Sequence, residues 1–223
     1  MTWRVSYFLL KRLKIGVTHL YDHQIIYDSR FLESVFRLRA DGMTLQNIWE
    51  LYNIYKAVLQ TSKVPGDIAE VGVYKGGSAR LICEMKGGRQ LHLFDTFTGM
   101  PEVGEHDIHK KGSFNDISIE SVMRYLKNYK NVFFYKGFFP KTAAALQWGK
   151  ISFLHIDADL YKTTIDALNF FYPYMNRGGI IICHDYNSMT CPGVKKAFDE
   201  FFKSKPEPVI ELSCTSQCLI TKI

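Results

Sequence analysis

From Asp67 to Cys183 the sequence alternates short runs of β-branched and aromatic residues with stretches whose apolar positions recur at helical spacing. That alternation constrains the fold most. A strand, a helix and a second strand form a right-handed crossover unit, and such units in series build a doubly wound parallel sheet. Strands are predicted at 68–72, 91–95, 132–135, 151–157 and 180–183, with helices at 78–85, 118–128, 140–146, 161–171 and 194–203. Two more strands, 209–212 and 218–220, lie too close for a crossover helix and are expected to pair as an antiparallel hairpin. Upstream, 29–40 and 44–61 carry apolar residues at helical spacing, with Thr44 as the expected N-cap of the second helix. The expected organisation is an N-terminal helical extension, 1–63, followed by one α/β domain, 64–223.

Composition narrows the class. Apolar residues make up 47% and charged residues 22% of 223 residues, the balance of a folded globular chain rather than a disordered one. A net charge of +6 suits an anionic ligand, but the basic residues are too scattered for a nucleic-acid surface. Five cysteines without regular spacing exclude a disulfide framework, and Cys214 and Cys218 read as ordinary thiols. Residues 1–20 read as a short basic, aromatic amphipathic helix. It is expected to pack on the domain or on a second subunit rather than lie on a membrane. Its apolar run, Tyr7 to Leu10, is too short for a signal-peptide core, so a cytoplasmic location is expected.

In open α/β sheets ligands bind beyond the carboxyl ends of the strands. Four of the five predicted ends carry a carboxylate: Glu70, Asp95, Asp157 with Asp159, and Asp185 beside His184. The turn Gly72-Val73-Tyr74-Lys75-Gly76-Gly77-Ser78 is glycine-rich without being Gly-x-Gly-x-x-Gly. Its glycines would let backbone approach a ligand and leave helix N–H groups free to donate. Asp95 follows this turn by about 20 positions, the separation of a carboxylate that binds ribose hydroxyls. Both nicotinamide dinucleotides and S-adenosylmethionine carry such a ribose. Glu70 would repel a pyrophosphate but suit the cationic methionine end of S-adenosylmethionine. The acids ending the fourth and fifth strands have no use in hydride transfer, whereas a divalent cation would use them. A parallel sheet ending in an antiparallel hairpin is also the arrangement of class I methyltransferases.

At this point the residues resemble a known family. The segment Val64-Pro65-Gly66-Asp67-Ile68-Ala69-Glu70-Val71-Gly72-Val73-Tyr74-Lys75-Gly76-Gly77-Ser78 is similar to the signature of the macrocin O-methyltransferase (TylF/MycF-type) family. So are Phe94-Asp95-Thr96-Phe97-Thr98-Gly99-Met100-Pro101, Tyr135-Lys136-Gly137-Phe138-Phe139 and His155-Ile156-Asp157-Ala158-Asp159-Leu160-Tyr161. Tyr172-Pro173 with Gly178-Gly179, and His184-Asp185-Tyr186 followed by Cys191-Pro192-Gly193-Val194, complete the series. The motifs stand in the family's order from about 44 to 202. The resemblance implies a class I (Rossmann-like) fold, S-adenosylmethionine as methyl donor, Mg²⁺ as the usual metal, a hydroxyl on a sugar or glycoside as acceptor, and a homodimer. It implies that Glu70, Gly72, Tyr74, Gly76, Gly77 and Ser78 hold the methionine part, and Asp95 the ribose. Thr96 and Phe97 would lie beside the adenosine, with Ser113, Phe114, Gly137 and Phe138 on the adenine side. Asp159, His184 and Asp185 would be metal ligands, and Asp157 a fourth ligand or the catalytic base. The family usually has Asp-Asp-Tyr where this chain has His184-Asp185-Tyr186. Imidazole favours softer metals such as Mn²⁺, so either the preferred metal has changed or His184 is itself the base.

A sugar hydroxyl is a poor nucleophile at pH 7, and a bound cation that lowers its pKa, with a base to take the proton, would activate it. Acceptor contacts are expected from the N-terminal helices and the 98–116 loop, with Trp49, Tyr52, Tyr55, His106 and His109 as candidates and the loop as a candidate lid, although aromatic residues at helical spacing more often pack in the core. The same chemistry suits a phenol or catechol acceptor. The remaining alternatives are a catalytically degenerate interaction module and, least favoured, a nucleotide-dependent oxidoreductase.

Overall fold

The computed structural model describes residues 28–223, so the amphipathic helix expected over 1–20 lies outside the described residues. Helix α1, Ser29–Ala40, starts where the Asp28 carboxylate accepts a hydrogen bond from the Phe31 N–H at 3.0 Å. Phe31, Val35 and Leu38 then fall on one face and are fully buried. Helix α2, Ile48–Gln60, begins later than the apolar periodicity suggests. Its N-cap is Asn47, not Thr44, because Asn47 and Glu50 stand at the spacing of a capping box. Thr44 instead accepts from the Gln46 N–H in the preceding turn.

The sheet has seven strands in the order β3-β2-β1-β4-β5-β7-β6. They are β1 Asp67–Val71, β2 Leu91–Asp95, β3 Val132–Lys136, β4 Ile151–Ile156, β5 Met175–Cys183, β6 Ile210–Glu211 and β7 Cys218–Thr221. The first five are parallel. β7 runs antiparallel to β5 and to β6, which is the expected hairpin. β5 begins at Met175 and passes through Gly178 and Gly179, so those glycines lie within the strand rather than in a turn before it. The chain lays β1, β2 and β3 outward in one direction, then returns to place β4 beside β1. The sheet therefore has its topological switch between β1 and β4, the place where open α/β sheets bind ligands.

Helices cover both faces. α3, Gly77–Met85, and α4, Ile119–Tyr125, join α1 and α2 on one side over Ile68, Leu91 and Leu93. α5, Lys141–Ala144, α6, Tyr161–Phe171, and α7, Pro192–Phe202, cover the other side over Ala69, Val71, Phe94 and Leu154. The alternation of Ile68 with Ala69, and of Leu93 with Phe94, is the period-two pattern of strands buried on both faces. Among the described residues α1 and α2 share one continuous core with the sheet. No helix among the described residues is long and apolar enough to cross a membrane.

The parallel ladder runs past the ends of the strands. Gly72 donates to the Phe94 carbonyl at 2.9 Å, Asp157 to Val71 at 2.8 Å, His184 to Ile156 at 2.8 Å and Gly137 to Asp95 at 2.9 Å. These bonds level the turns along one edge of the sheet. The approach is closest at Gly72, with φ of +88°, where an added Cβ would lie 1.9 Å from the Asp157 carbonyl oxygen. Glycine is thus required there by both conformation and space. Gly72→Ala is expected to cost at least roughly 3 kcal/mol, measured as a lowered urea midpoint at unchanged slope.

Candidate active site

A cleft of about 320 Å³ opens at the switch point. Its floor is formed by the turns after β1, β2, β4 and β5, and its rim by Met43–Gln46, Met100, Pro101, His109 and Phe138. Gly72, Tyr74, Gly77, Ser78, Asp95, Thr96, Gly137, Phe138, Asp157, Asp159, His184 and Asp185 all line it. Tyr74, Asp159 and Asp185 each hold a positive φ, between 47° and 60°, so non-glycine strain is concentrated on this edge.

One end of the cleft is built around the glycine turn. Asp95 Oδ2 accepts from the Val73 and Tyr74 N–H groups at 2.8 and 3.0 Å, and Oδ1 accepts from Phe97 N–H at 2.7 Å. The carboxylate therefore fastens the β1 turn to the β2 turn; Oδ2 is filled by two backbone donors, and Oδ1 keeps a lone pair that could accept from a ribose hydroxyl. The first N–H groups of α3, at Gly77 and Ser78, face the cleft as free donors for an anionic group. An added Cβ at Gly77 would come 2.4 Å from the Met43 carbonyl oxygen, so the segment before α2 closes tightly over this turn. Tyr74 donates to Asp116 at 2.9 Å and packs edge-on against Phe114, which ties the turn to the end of the long loop. The loop itself is pinched at its base, where Met100 and Gly112–Ser113 exchange backbone hydrogen bonds of 2.8 and 3.0 Å.

Four expected cofactor residues do not line the cleft. Glu70 is fully buried on the α3 side of β1, the same face as Ile68. Its Oε1 lies 2.8 Å from His155 Nδ1 of β4, also fully buried. Burial pushes the Glu70 carboxyl above its ordinary value against the pull of His155. It lies beneath the glycine turn, where its carboxylate also accepts a hydrogen bond from Ser78. Phe97 is a core residue, Gly76 abuts the Val122 side chain, and Ser113 lies behind the Met100 pinch. Phe114, Ile117 and Phe139 supply the apolar wall instead. The stacking candidates Tyr52 and Tyr55 pack on Phe31 in the core, and Trp49 packs beside them. His106 packs on Tyr161, whereas His109 does reach the cleft.

The other end is a charge cluster. His184 Nδ1 lies 2.7 Å from Asp185 Oδ2 and 3.2 Å from Asp157 Oδ1, and its Nε2 lies 3.3 Å from Glu50 Oε2. Burial disfavours a charged imidazole, but these three carboxylates hold the His184 pKa well above its ordinary value. Burial would likewise raise Asp157. The His184 charge and hydrogen bond, with His155 and the 2.7 Å bond from Gln46 Nε2, bring it down to about 2. Asp159 is opposite in character: burial and the neighbouring Asp157 and Asp185 push its carboxyl well above the usual range. Asp157, His184 and Asp185 offer donor atoms within 4.8 Å of one another, while Asp159 groups with His109 and Cys191. Asp157 thus groups with His184 and Asp185, while Asp159, hydrogen-bonded to Asp185, groups with His109 and Cys191.

The sequence matches the macrocin-O-methyltransferase (TylF) family over residues 41–216. The chain belongs to that family. It is 34% identical over 184 residues to the demethyldecarbamoylnovobiocin O-methyltransferase of Streptomyces niveus, covering 73% of this chain and 68% of the relative. A tetracenomycin-C rhamnosyl 4'-O-methyltransferase of Streptomyces olivaceus is 31% identical over 192 residues, covering 78% and 73%. The solved O-methyltransferase NovP superposes with a TM-score of 0.72 at 30% identity, over 81% of this chain and 82% of its own. The protein is thus an O-methyltransferase with the class I fold, and S-adenosylmethionine is its methyl donor. In this methyltransferase, Asp95→Ala is expected to weaken S-adenosylmethionine binding by at least about tenfold in isothermal titration, because it removes the clamp that holds the glycine turn against the cleft.

Proposed function

We propose that this enzyme methylates a hydroxyl on a sugar ring or glycoside, assisted by a divalent cation. The observation that carries the reading is the division of the acids at the cleft floor. Asp157, His184 and Asp185 form one set, and Asp159, with its raised affinity for a proton, lies at its edge against Asp185. The acceptor class is supported by relatives, one of which acts on a rhamnosyl group of tetracenomycin C.

The donor set fits a cation. Two carboxylates and an imidazole converge, with Glu50 on the far side of the imidazole, so negative groups outnumber the single His184 ring. Imidazole suits Mn²⁺ or a similar borderline ion better than Mg²⁺. Asp157, His184 and Asp185 would hold it, with His184 giving up its proton to do so. When bound, such an ion polarises the acceptor hydroxyl and lowers its pKa. Glu50 and Gln46 orient this set, one against His184 Nε2 and the other against Asp157 Oδ2.

The protein's own groups supply the rest. Asp95 and the α3 N–H groups fix the methyl donor, and the apolar wall of Phe114, Ile117 and Phe138 excludes water from its adenine side. Asp159 takes the proton from the acceptor oxygen as that oxygen attacks the methyl carbon in line. The raised proton affinity of Asp159, caused by burial and the neighbouring Asp157 and Asp185, makes it a stronger base than an ordinary carboxylate.

The test is conversion of S-adenosylmethionine and glycosides bearing vicinal ring hydroxyls, followed by mass spectrometry of the products. A sugar methyl ether is expected, lost after chelator treatment and restored by Mn²⁺ better than by Mg²⁺. Methylation of catechols with every glycoside untouched would overturn the acceptor assignment. Asp159→Asn is expected to lower kcat by roughly 10²- to 10⁴-fold while leaving S-adenosylmethionine affinity unchanged.

A further inference from the structure

Beside the proposed cation site lies a second group of donors, of which the proposed methyl-transfer chemistry uses only Asp159. Cys191 caps α7, and its Sγ lies 3.4 Å from His109 Nε2 on the long loop and 3.6 Å from Asp159 Oδ1 after β4. The three donor atoms lie within 4.8 Å of one another. They come from three separate segments, and all three residues line the cleft.

The distances carry a specific meaning. Zinc binds sulfur at about 2.3 Å and nitrogen or oxygen at about 2.0–2.1 Å in a tetrahedron, which puts a ligating sulfur about 3.5 Å from a ligating nitrogen or oxygen. Both measured separations from Cys191 Sγ fall at that value. A sulfur donor with an imidazole and one carboxylate selects Zn²⁺ or another thiophilic ion over Mg²⁺. Asp157, His184 and Asp185 contain no sulfur, so the two sets differ in the metal they prefer.

We propose that His109, Asp159 and Cys191 form a distinct site for a thiophilic divalent cation such as Zn²⁺, which fastens the long loop to α7 and inhibits methyl transfer. Binding replaces the thiol proton, released to solvent, by the metal. Three protein ligands leave a fourth position for water. The inhibition rests on the reading of Asp159 as base, because a carboxylate bound to zinc cannot accept the acceptor proton. The binding site itself does not depend on that reading.

Cobalt serves as the spectroscopic probe, since only a thiolate ligand gives a near-ultraviolet sulfur-to-cobalt charge-transfer band. Titration of the full chain with Co²⁺ is expected to produce that band at one equivalent, and added Zn²⁺ to remove it. The band should vanish in Cys191→Ser and persist in Cys214→Ser, which removes the exposed thiol. His109→Gln, a loop substitution that leaves the core intact, should weaken Zn²⁺ by more than the roughly 10- to 100-fold typical of losing a supporting group. In assays activated by excess Mn²⁺, stoichiometric Zn²⁺ should inhibit the wild type, and each variant's own zinc-free rate should be unaffected by the same addition. No band in the wild type, or a band that survives Cys191→Ser, overturns the site. A band that behaves as expected without inhibition keeps the site and overturns the role of Asp159 in it.

Discussion

Everything at the active site depends on the parallel ladder being continued into the turns. The N–H groups of Gly72, Gly137, Asp157 and His184 each bond to a carbonyl within the last two residues of the neighbouring strand. A strand normally frays at its end, and side chains there would point over a wide range. Here the four turns are held level, so residues that stand at separate points of the sequence are delivered to one edge. The close approach of Gly72 to the Asp157 carbonyl is the tightest of these contacts, and a larger residue would push β1 and β4 apart at the switch point. The positive φ values of Tyr74, Asp159 and Asp185 are the cost of turning side chains back over that edge.

Electrostatics then divides the cleft. One end is apolar and lined by backbone donors, suited to an uncharged base and an anionic group. The other end concentrates carboxylates around a single imidazole. His184 answers Asp157, Asp185 and Glu50 together, and without a positive centre there three acids could not share so small a volume in a partly buried site. Asp159 lies just beyond that compensation, which is why its proton affinity rises while that of Asp157 falls. Two aspartates separated by one alanine are thus given opposite acid–base behaviour by their surroundings.

Much of this was legible in the sequence for a simple reason. Helical and strand periodicities place β4 and β5 as parallel neighbours, so Asp157, Asp159, His184 and Asp185 had to share one end of the sheet. The family motifs placed the glycine turn and Asp95 in the same way. What escaped was direction and distance along the chain. Glu70 looked like a cleft residue, but it shares strand parity with Ile68 and points beneath α3. Tyr52 and Tyr55 are candidates for sugar stacking, but their helical spacing favours the core, and there they pack on Phe31. Gln46 and Glu50 reach the cluster from the N-terminal segment, 111 residues before Asp157 in the case of Gln46. The only local signal was the Asn47–Glu50 capping box, which reports a helix start and not a contact. Nothing local marks Cys191, because its partners lie on the long loop and after β4.

The central claim is that Asp157, His184 and Asp185 form one cation-holding set opposite the methyl-donor pocket. Anomalous diffraction from crystals grown with Mn²⁺ and S-adenosylhomocysteine tests it most directly. The account predicts a manganese peak among those three side chains, with the nucleoside ribose on Asp95. Electron density for the nucleoside with no manganese peak at the three residues would contradict it.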